Sequence, residues 1–299
     1  MRSQRACYAD EMEPPEPTVR RWSSVHDFLA ASREFLAARE AEHCLIFGIA
    51  SVIESNPEIY PDPRFWTVHE GDRVVAAALR TPPHNLLLSQ IDDPRALAAL
   101  TADALATDEL PGVLGPTAAA RSIADAWSAR TGGVAKRTVQ ERIFRLDRVQ
   151  PPQAAPGGFR EVEERDRALL AAWWSAFCAE ATPHAPRGNA NEAADRMLRR
   201  AGRVAYLWED GGTVVSLGAA SGPTPRGIRI GPVYTPPQLR RRGYASNLVA
   251  SITERQLASG RDFCFLFTDI ANATSNHIYQ EIGYAPVTDV DEYRFAASA

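Results

Sequence analysis

The sequence predicts a mixed α/β fold built twice in tandem, and three observations carry that prediction. The first is a strand–turn–helix–strand run in the second half. An apolar run at residues 228–234 is bounded by Arg226-Gly227 and Pro236-Pro237; Leu248, Val249, Ile252 and Leu257 then recur at close to helical spacing, and a second apolar run follows at 263–268. The second observation is a pair of similar hairpins, residues 66–75 turning on Glu70-Gly71-Asp72 and residues 206–215 turning on Asp210-Gly211-Gly212. Their separation is too long for a solenoid and fits a duplicated domain. The third is a stretch with Pro151, Pro152 and Pro156, which reads as a linker over 147–158. These divide the chain into a tail (1–20), a first unit (21–150) and a second unit (151–299). The tail mixes charges with Pro14, Pro15 and Pro17, which predicts disorder.

The elements follow in order. Residues 25–55 are helical, read as two helices with Phe28, Leu29, Phe35, Leu36, Leu45, Ile46, Ile49 and Ile53 as core positions. After the first hairpin, 85–90 reads as a third strand, 92–107 as an Ala/Leu-rich helix, 112–114 as a short strand, 117–129 as a helix and 141–146 as a last strand. The second half repeats this order: strand 159–162, helices 165–180 and 191–200, the second hairpin, then the strand and helix described above. The matching order predicts two sheets related by an approximate two-fold and packed into one body. Residues 111–116 (P-G-V-L-G-P) look like a copy of 230–236 (I-G-P-V-Y-T-P), which sets Thr117-Ala-Ala-Ala-Arg-Ser-Ile-Ala against the turn that opens the second-half helix.

With 299 residues and 45% hydrophobic content, the chain can fill two cores. A net charge of -4 and a pI near 5.9 exclude a bulk electrostatic grip on nucleic acid. The four cysteines, Cys7, Cys44, Cys178 and Cys264, have no metal-ligand or redox spacing and are read as reduced, so no metal is expected. No apolar run approaches the ~20 residues that cross a bilayer, and the start lacks a signal-peptide core. The expectation is a soluble, cytoplasmic chain, monomeric or homodimeric, without membrane or nucleic-acid partners.

The chemistry concentrates at Arg240-Arg241-Arg242-Gly243-Tyr244-Ala245, between the organising strand and its helix. A helix N-terminus has unpaired N–H groups and a partial positive charge, so this R-x-x-G-x-A turn is suited to a phosphate or pyrophosphate. Gly243 and Ala245 let a ligand reach the backbone, and a bulky residue at 243 is expected to block binding with the fold intact. Pro232 inside an apolar strand predicts a break in strand pairing.

Strand, R-x-x-G-x-A, helix, second strand and then the run from Asn272 through Ser275 and Tyr279 to Gly283-Tyr284 together resemble the acetyl-CoA-binding core of the GCN5-related N-acetyltransferases. The resemblance covers roughly 158–295. It implies tandem folds of this type, each a mainly antiparallel sheet flanked by helices, the first a degenerate copy without cofactor. It further implies acetyl-CoA as acyl donor and a backbone N–H of Val233 as the oxyanion donor. Pantetheine contacts would come from Val233, Tyr234, Thr235, Asn272 and Ser275, and the pyrophosphate would lie on Arg240, Arg241, Arg242, Gly243, Tyr244, Ala245 and Ser246. Tyr279 takes the position of the family's general acid; as a bare residue type it reads equally as a packing aromatic. The organising strand has no carboxylate for a general base, which leaves Asp269, Glu180 or a water chain. Trp174 is a candidate wall of the acceptor pocket. The expected activity is N-acetylation of a small-molecule amine; the alternative is a non-catalytic acyl-CoA-binding module.

Overall fold

The structure, a computed structural model, describes residues 15–181, 188–200 and 202–297. The first half contributes β1 (Thr18–Trp22), α1 (Val25–Ala38), α2 (Cys44–Ser55), β2 (Arg64–Glu70), β3 (Arg73–Arg80), β4 (Leu86–Leu88), α3 (Pro94–Thr107), β5 (Gly112–Pro116), α4 (Thr117–Thr131) and β6 (Val134–Leu146). The second contributes β7 (Gly158–Glu161), α5 (Arg167–Ala181), α6 (Ala190–Leu198), β8 (Arg203–Asp210), β9 (Thr213–Ser221), β10 (Gly227–Tyr234), α7 (Tyr244–Ala258), β11 (Phe263–Asp269), α8 (Ala273–Glu281) and β12 (Ala285–Ala296).

All these strands form one sheet, in the order β1-β2-β3-β4-β5-β12-β6-β11-β10-β9-β8-β7. Only β4–β5 and β10–β11 pair in parallel; every other neighbouring pair is antiparallel. The order is symmetric about the β6–β12 pair, so the expected two-fold relation takes the form of a single continuous sheet. Each half gives its last strand to the other: β6 lies beside β11, and β12 lies beside β5. The exchanged strands pair with each other from Ala285↔Arg145 to Ala296↔Val134. Pairing removes the open edges that two separate sheets would expose at this seam.

Alternation along the strands sends side chains to two helical layers. On one face, Cys264 and Leu266 of β11 and Ile228 and Ile230 of β10 pack with Leu248, Val249 and Ile252 of α7, while Trp66, Val68 and Leu86 pack with α3 and α4. On the other face, Leu207 and Leu217 meet α5 and α6, and Phe65, Leu79 and Leu87 meet α1 and α2. At the seam, Ala41 and Cys44 of the first half sit on Phe263 and Phe265 of the second, with Ile143 and Val290 from the exchanged strands.

Two expectations need correction. The tail assigned to residues 1–20 ends too late: Thr18–Trp22 is a strand on β2, anchored by Trp22 Nε1 donating to Thr67 Oγ1 at 2.9 Å. Residues 1–14, including Cys7, lie outside the described residues. The internal repeat is also displaced by one β–α unit. By position in the sheet, β10 and α7 correspond to β4 and α3, so the counterpart of the Arg240–Ala245 turn is the segment before α3 and not Thr117. There, Asp93 caps the helix by accepting from Arg95 N at 2.8 Å, Pro94 occupies the first turn, and Asp92 pairs with Arg39. The Gly-Pro dipeptides that suggested the other alignment belong to β5 and β10, strands of different rank.

Candidate active site

The site starts from β10. It pairs in parallel with β11 only over Gly227↔Phe263, Ile228↔Cys264 and Arg229↔Phe265. Beyond Arg229 the strands diverge, and on the outer side the pairing with β9 skips from Ile230↔Ala220 to Val233↔Gly218. The break falls at Gly231-Pro232, where the missing proline N–H predicts it. Two parallel strands that separate in this way leave a wedge, with Val233, Tyr234 and Thr235 on one wall and β11, Asn272 and α8 on the other.

The start of α7 lies after the wall formed by β10. Among the described residues, α1, α3, α6 and α8 are capped by the side chains of Ser24, Asp93, Asn189 and Asn272; α7 begins on Gly243 with no side-chain cap, as α2 and α4 also begin without one. The first-turn N–H groups, including those of Tyr244, Ala245 and Ser246, have no intrahelical partner. Arg241 (φ 62) and Gly243 (φ 79) take left-handed conformations that shape the turn. The segment between β6 and β7 flanks it, since Asn247 Nδ2 donates to Gln153 O at 2.9 Å and Ala155 stands against Gly243. A bulky residue at 243 also carries a stability cost, since a side chain at this φ is strained by about 1–2 kcal/mol.

The basic residues of the turn differ in what they touch. The Arg240 guanidinium donates to Thr235 O at 2.8 Å and to Glu180 at 2.5 Å, which ties α5 to the loop. Glu180 is thus engaged in an ion pair, away from a role as free base. Tyr244 donates to Asp210 at 2.6 Å, and Arg242 lies beside that pair. Asn272 caps α8 by accepting from Ser275 N, which uses the side-chain oxygen of one and the amide of the other. Asp269 holds the loop after β11 by accepting from Ala271 N at 2.8 Å.

Tyr279 is half-buried against the α7-side core, edge-on to Tyr284 with ring centroids 6.1 Å apart. Its hydroxyl makes no hydrogen bond among the described residues. Burial pushes the phenol up to about 12, so it is protonated throughout the neutral range. His277 points elsewhere, into an exposed contact with Glu281.

One carboxylate at the wedge was missed by sequence reasoning. Glu141, on the exchanged strand β6, stands directly across from Asp269. It shares a face with Ile143, the face opposite α7. Burial raises its carboxyl above the usual range; Arg229 opposes this, and the charges of Asp269 and Glu292 add to it. Nothing local could have found it, because Glu141 precedes the linker and arrives only through strand exchange. Trp174 lines a cavity with Arg196, Gly202 and Arg203.

Comparison with known proteins bears on this geometry. Residues 220–294, which contain the wedge, the uncapped helix and Tyr279, match the family model described as FR47-like protein. A solved structure from Drosophila superposes with a TM-score of 0.65 at 15% identity, covering 94% of this chain and 99% of that one. Two others are described as acetyltransferases of the GNAT (GCN5-related N-acetyltransferase) group. The protein from Sphaerobacter thermophilus has a TM-score of 0.56, 16% identity, and covers 94% and 96% of the two chains; that from Colwellia psychrerythraea has 0.56, 10%, 93% and 100%. The chain is a GNAT-fold protein. Comparison with curated protein sequences found no match. The agreement with the GNAT fold spans nearly the whole chain and not just its second half. Among the described residues, no helix is long and apolar enough to cross a membrane.

Proposed function

We propose that the protein transfers the acetyl group of acetyl-CoA to the amine of a small molecule by direct attack, using the second half (151–299) for the cofactor and the first (21–150) as a cofactor-free copy. The observation that carries this reading is the wedge at the β10 break combined with the uncapped start of α7. The N–H groups of the α7 turn suit the pyrophosphate, and the wedge walls suit an extended pantetheine arm. The first half has two aspartates and a proline where its own turn would bind, an arrangement that repels an anion.

Each step then has a residue. The Val233 N–H takes the carbonyl oxygen as negative charge develops on it. Glu141, with its raised carboxyl, accepts the proton that the amine loses as the N–C bond forms. Tyr279 gives its proton to the CoA sulfur as the C–S bond breaks and regains one from solvent. The products are the amide and free CoA, with the amine's proton left on Glu141 and then released.

The test is a panel of amines assayed for free CoA release by the full chain, beside calorimetry with acetyl-CoA. One binding site per chain and at least one accepted amine are expected. Tight acetyl-CoA binding without any acceptor would instead indicate a binding module, and two equivalent sites per chain would overturn the assignment of the first half. Gly243→Val is expected to abolish acetyl-CoA binding and to lower stability by about 1–2 kcal/mol, the strain of a side chain in the left-handed region.

The proton acceptor is tested separately through pH. Because the Glu141 carboxyl is raised, the acid limb of kcat/KM should lie above the ordinary carboxylate range, with activity lost as pH falls through it. Glu141→Gln should remove that limb and lower the rate by roughly 10²- to 10⁴-fold. An unchanged acid limb in the variant would assign the proton to another acceptor.

A further inference from the structure

Two arginines on the face opposite α7 have no ion-pair partner among the described residues. Arg203 on β8 and Arg229 on β10 both stand opposite Ser221 of β9, so the three residues form one row across the sheet. Their side chains share the face that Leu207 and Leu217 present to α5 and α6. The Nε atoms of both are buried without a hydrogen-bond partner, and neither arginine makes an ion pair among the described residues. Ser221 Oγ accepts a long contact from Arg229 at 3.5 Å, and the face of Trp174 lies 5.2 Å from the Arg203 guanidinium. Glu141 acts on Arg229 electrostatically but forms no ion pair with it.

The contrast with Arg160, on the neighbouring strand β7, is informative. Arg160 is also part-buried, and it is saturated by Asp166 and Glu209 at 2.7–2.9 Å. A partly buried cation that is not paired disfavours folding, and the fold keeps two side by side. Their mutual repulsion is evident at Arg203, where burial first, then Arg229 and Arg196, push the guanidinium down to about 10. At the Arg203 end of the row opens a cavity of about 200 Å³, lined by Trp174, Arg196, Gly202 and Arg203. The row also touches the reaction centre, because Ser221 Oγ reaches Gly231 O at 3.4 Å, within the break that sets Val233.

We propose that Arg203 and Arg229, with Ser221 between them, form the subsite for an anionic oxygen group on the acceptor, so that the substrate is an amine that also bears a carboxylate or a phosphate. This rests on the acetyltransferase reading and specifies its substrate class. Guanidinium groups match such oxyanions in geometry and charge. An anion held on this row leaves the amine end free to reach the wedge, where the opposite wall carries the acidic pair Glu141 and Asp269. A molecule with an anion at one end and an ammonium at the other complements both.

The experiment compares matched amines on the acetyl-CoA-bound full chain: amino acids against their decarboxylated amines, and phosphoethanolamine against ethanolamine. Equilibrium binding is measured by calorimetry and turnover by CoA release. At least one anionic amine should be preferred over its uncharged partner, and Arg203→Met and Arg229→Met should each weaken that amine by roughly 10- to 150-fold, as for a lost hydrogen bond to a charged group. The two comparisons distinguish carboxylate from phosphate. Thermal denaturation without ligand gives a second readout: removing an unpaired buried charge should hold or raise Tm, whereas a structural arginine would lower it. Equal use of charged and uncharged amines, no binding of any anionic amine, insensitivity to both substitutions, or a large fall in Tm would overturn the subsite. Failure of acetyl-CoA itself to bind would instead overturn the underlying acetyltransferase reading.

Discussion

Tyr279→Phe is expected to slow the chemical step by roughly 10²- to 10⁴-fold while leaving the fold and acetyl-CoA affinity nearly unchanged. The substitution keeps the ring that packs edge-on to Tyr284 and removes a hydroxyl that makes no hydrogen bond within the described residues. Stability should therefore move little. The phenol is pushed up to about 12, which keeps the proton in place for donation but limits how readily it leaves. A CoA thiol is itself a fair leaving group, so the lower part of the range is expected. The loss should appear in kcat and kcat/KM together, because a proton given as the C–S bond breaks acts only on the transition state. Single-turnover measurement is decisive, since slow product release would mask the effect in kcat. An unchanged single-turnover rate would make Tyr279 a packing residue.

Glu40→Ala is expected to destabilise the protein by about 1–3 kcal/mol for each buried donor left without an acceptor. Glu40 lies in the connection between α1 and α2, is 3% exposed, and crosses to the second half. Its carboxylate accepts from Thr224 Oγ1 at 2.5 Å, Arg226 N at 2.7 Å, Gly227 N at 3.0 Å and Arg226 Nε at 3.1 Å. Truncation leaves the Arg226 N–H and the Thr224 hydroxyl without their acceptor just before β10, while the Gly227 N–H keeps Thr224 Oγ1 at 2.9 Å, so catalysis should fall with stability. Burial alone would raise the Glu40 carboxyl, but the hydrogen bonds from Thr224, Arg226 and Gly227 outweigh it and hold it below its ordinary value. A depressed folded-state value means that this contribution is complete above the unfolded carboxylate range and is lost as pH falls through the folded value. Glu40→Gln should accordingly remove that part of the acid sensitivity. Chemical denaturation across pH measures both effects, and a variant as stable as the parent would show that the two halves are held mainly by the β6–β12 seam.

Local sequence was enough wherever an element's neighbours in space are also its neighbours along the chain. The hairpins β2–β3 and β8–β9 turn on Gly71 and Gly211-Gly212, and the strand, turn and helix from β10 to α7 are contiguous, so periodicity, a proline and a glycine placed them. The pairing break at Pro232 follows from a missing donor, which is a property of the residue itself.

Only the tertiary structure decided what comes from far away. Strand exchange between β6 and β12 depends on which edges are left unpaired once each half has folded, and no stretch of either strand encodes that. It brought Glu141 across from Asp269, which places a carboxylate on the strand beside β11. The correct correspondence of the halves likewise rests on sheet position, because short Gly-Pro strings recur in unrelated strands. Arg203 and Arg229 are separated along the chain by a complete hairpin strand, and each alone reads as an ordinary surface arginine. It is their shared register with Ser221, and the absence of any carboxylate within ion-pair reach among the described residues, that makes them an anion subsite.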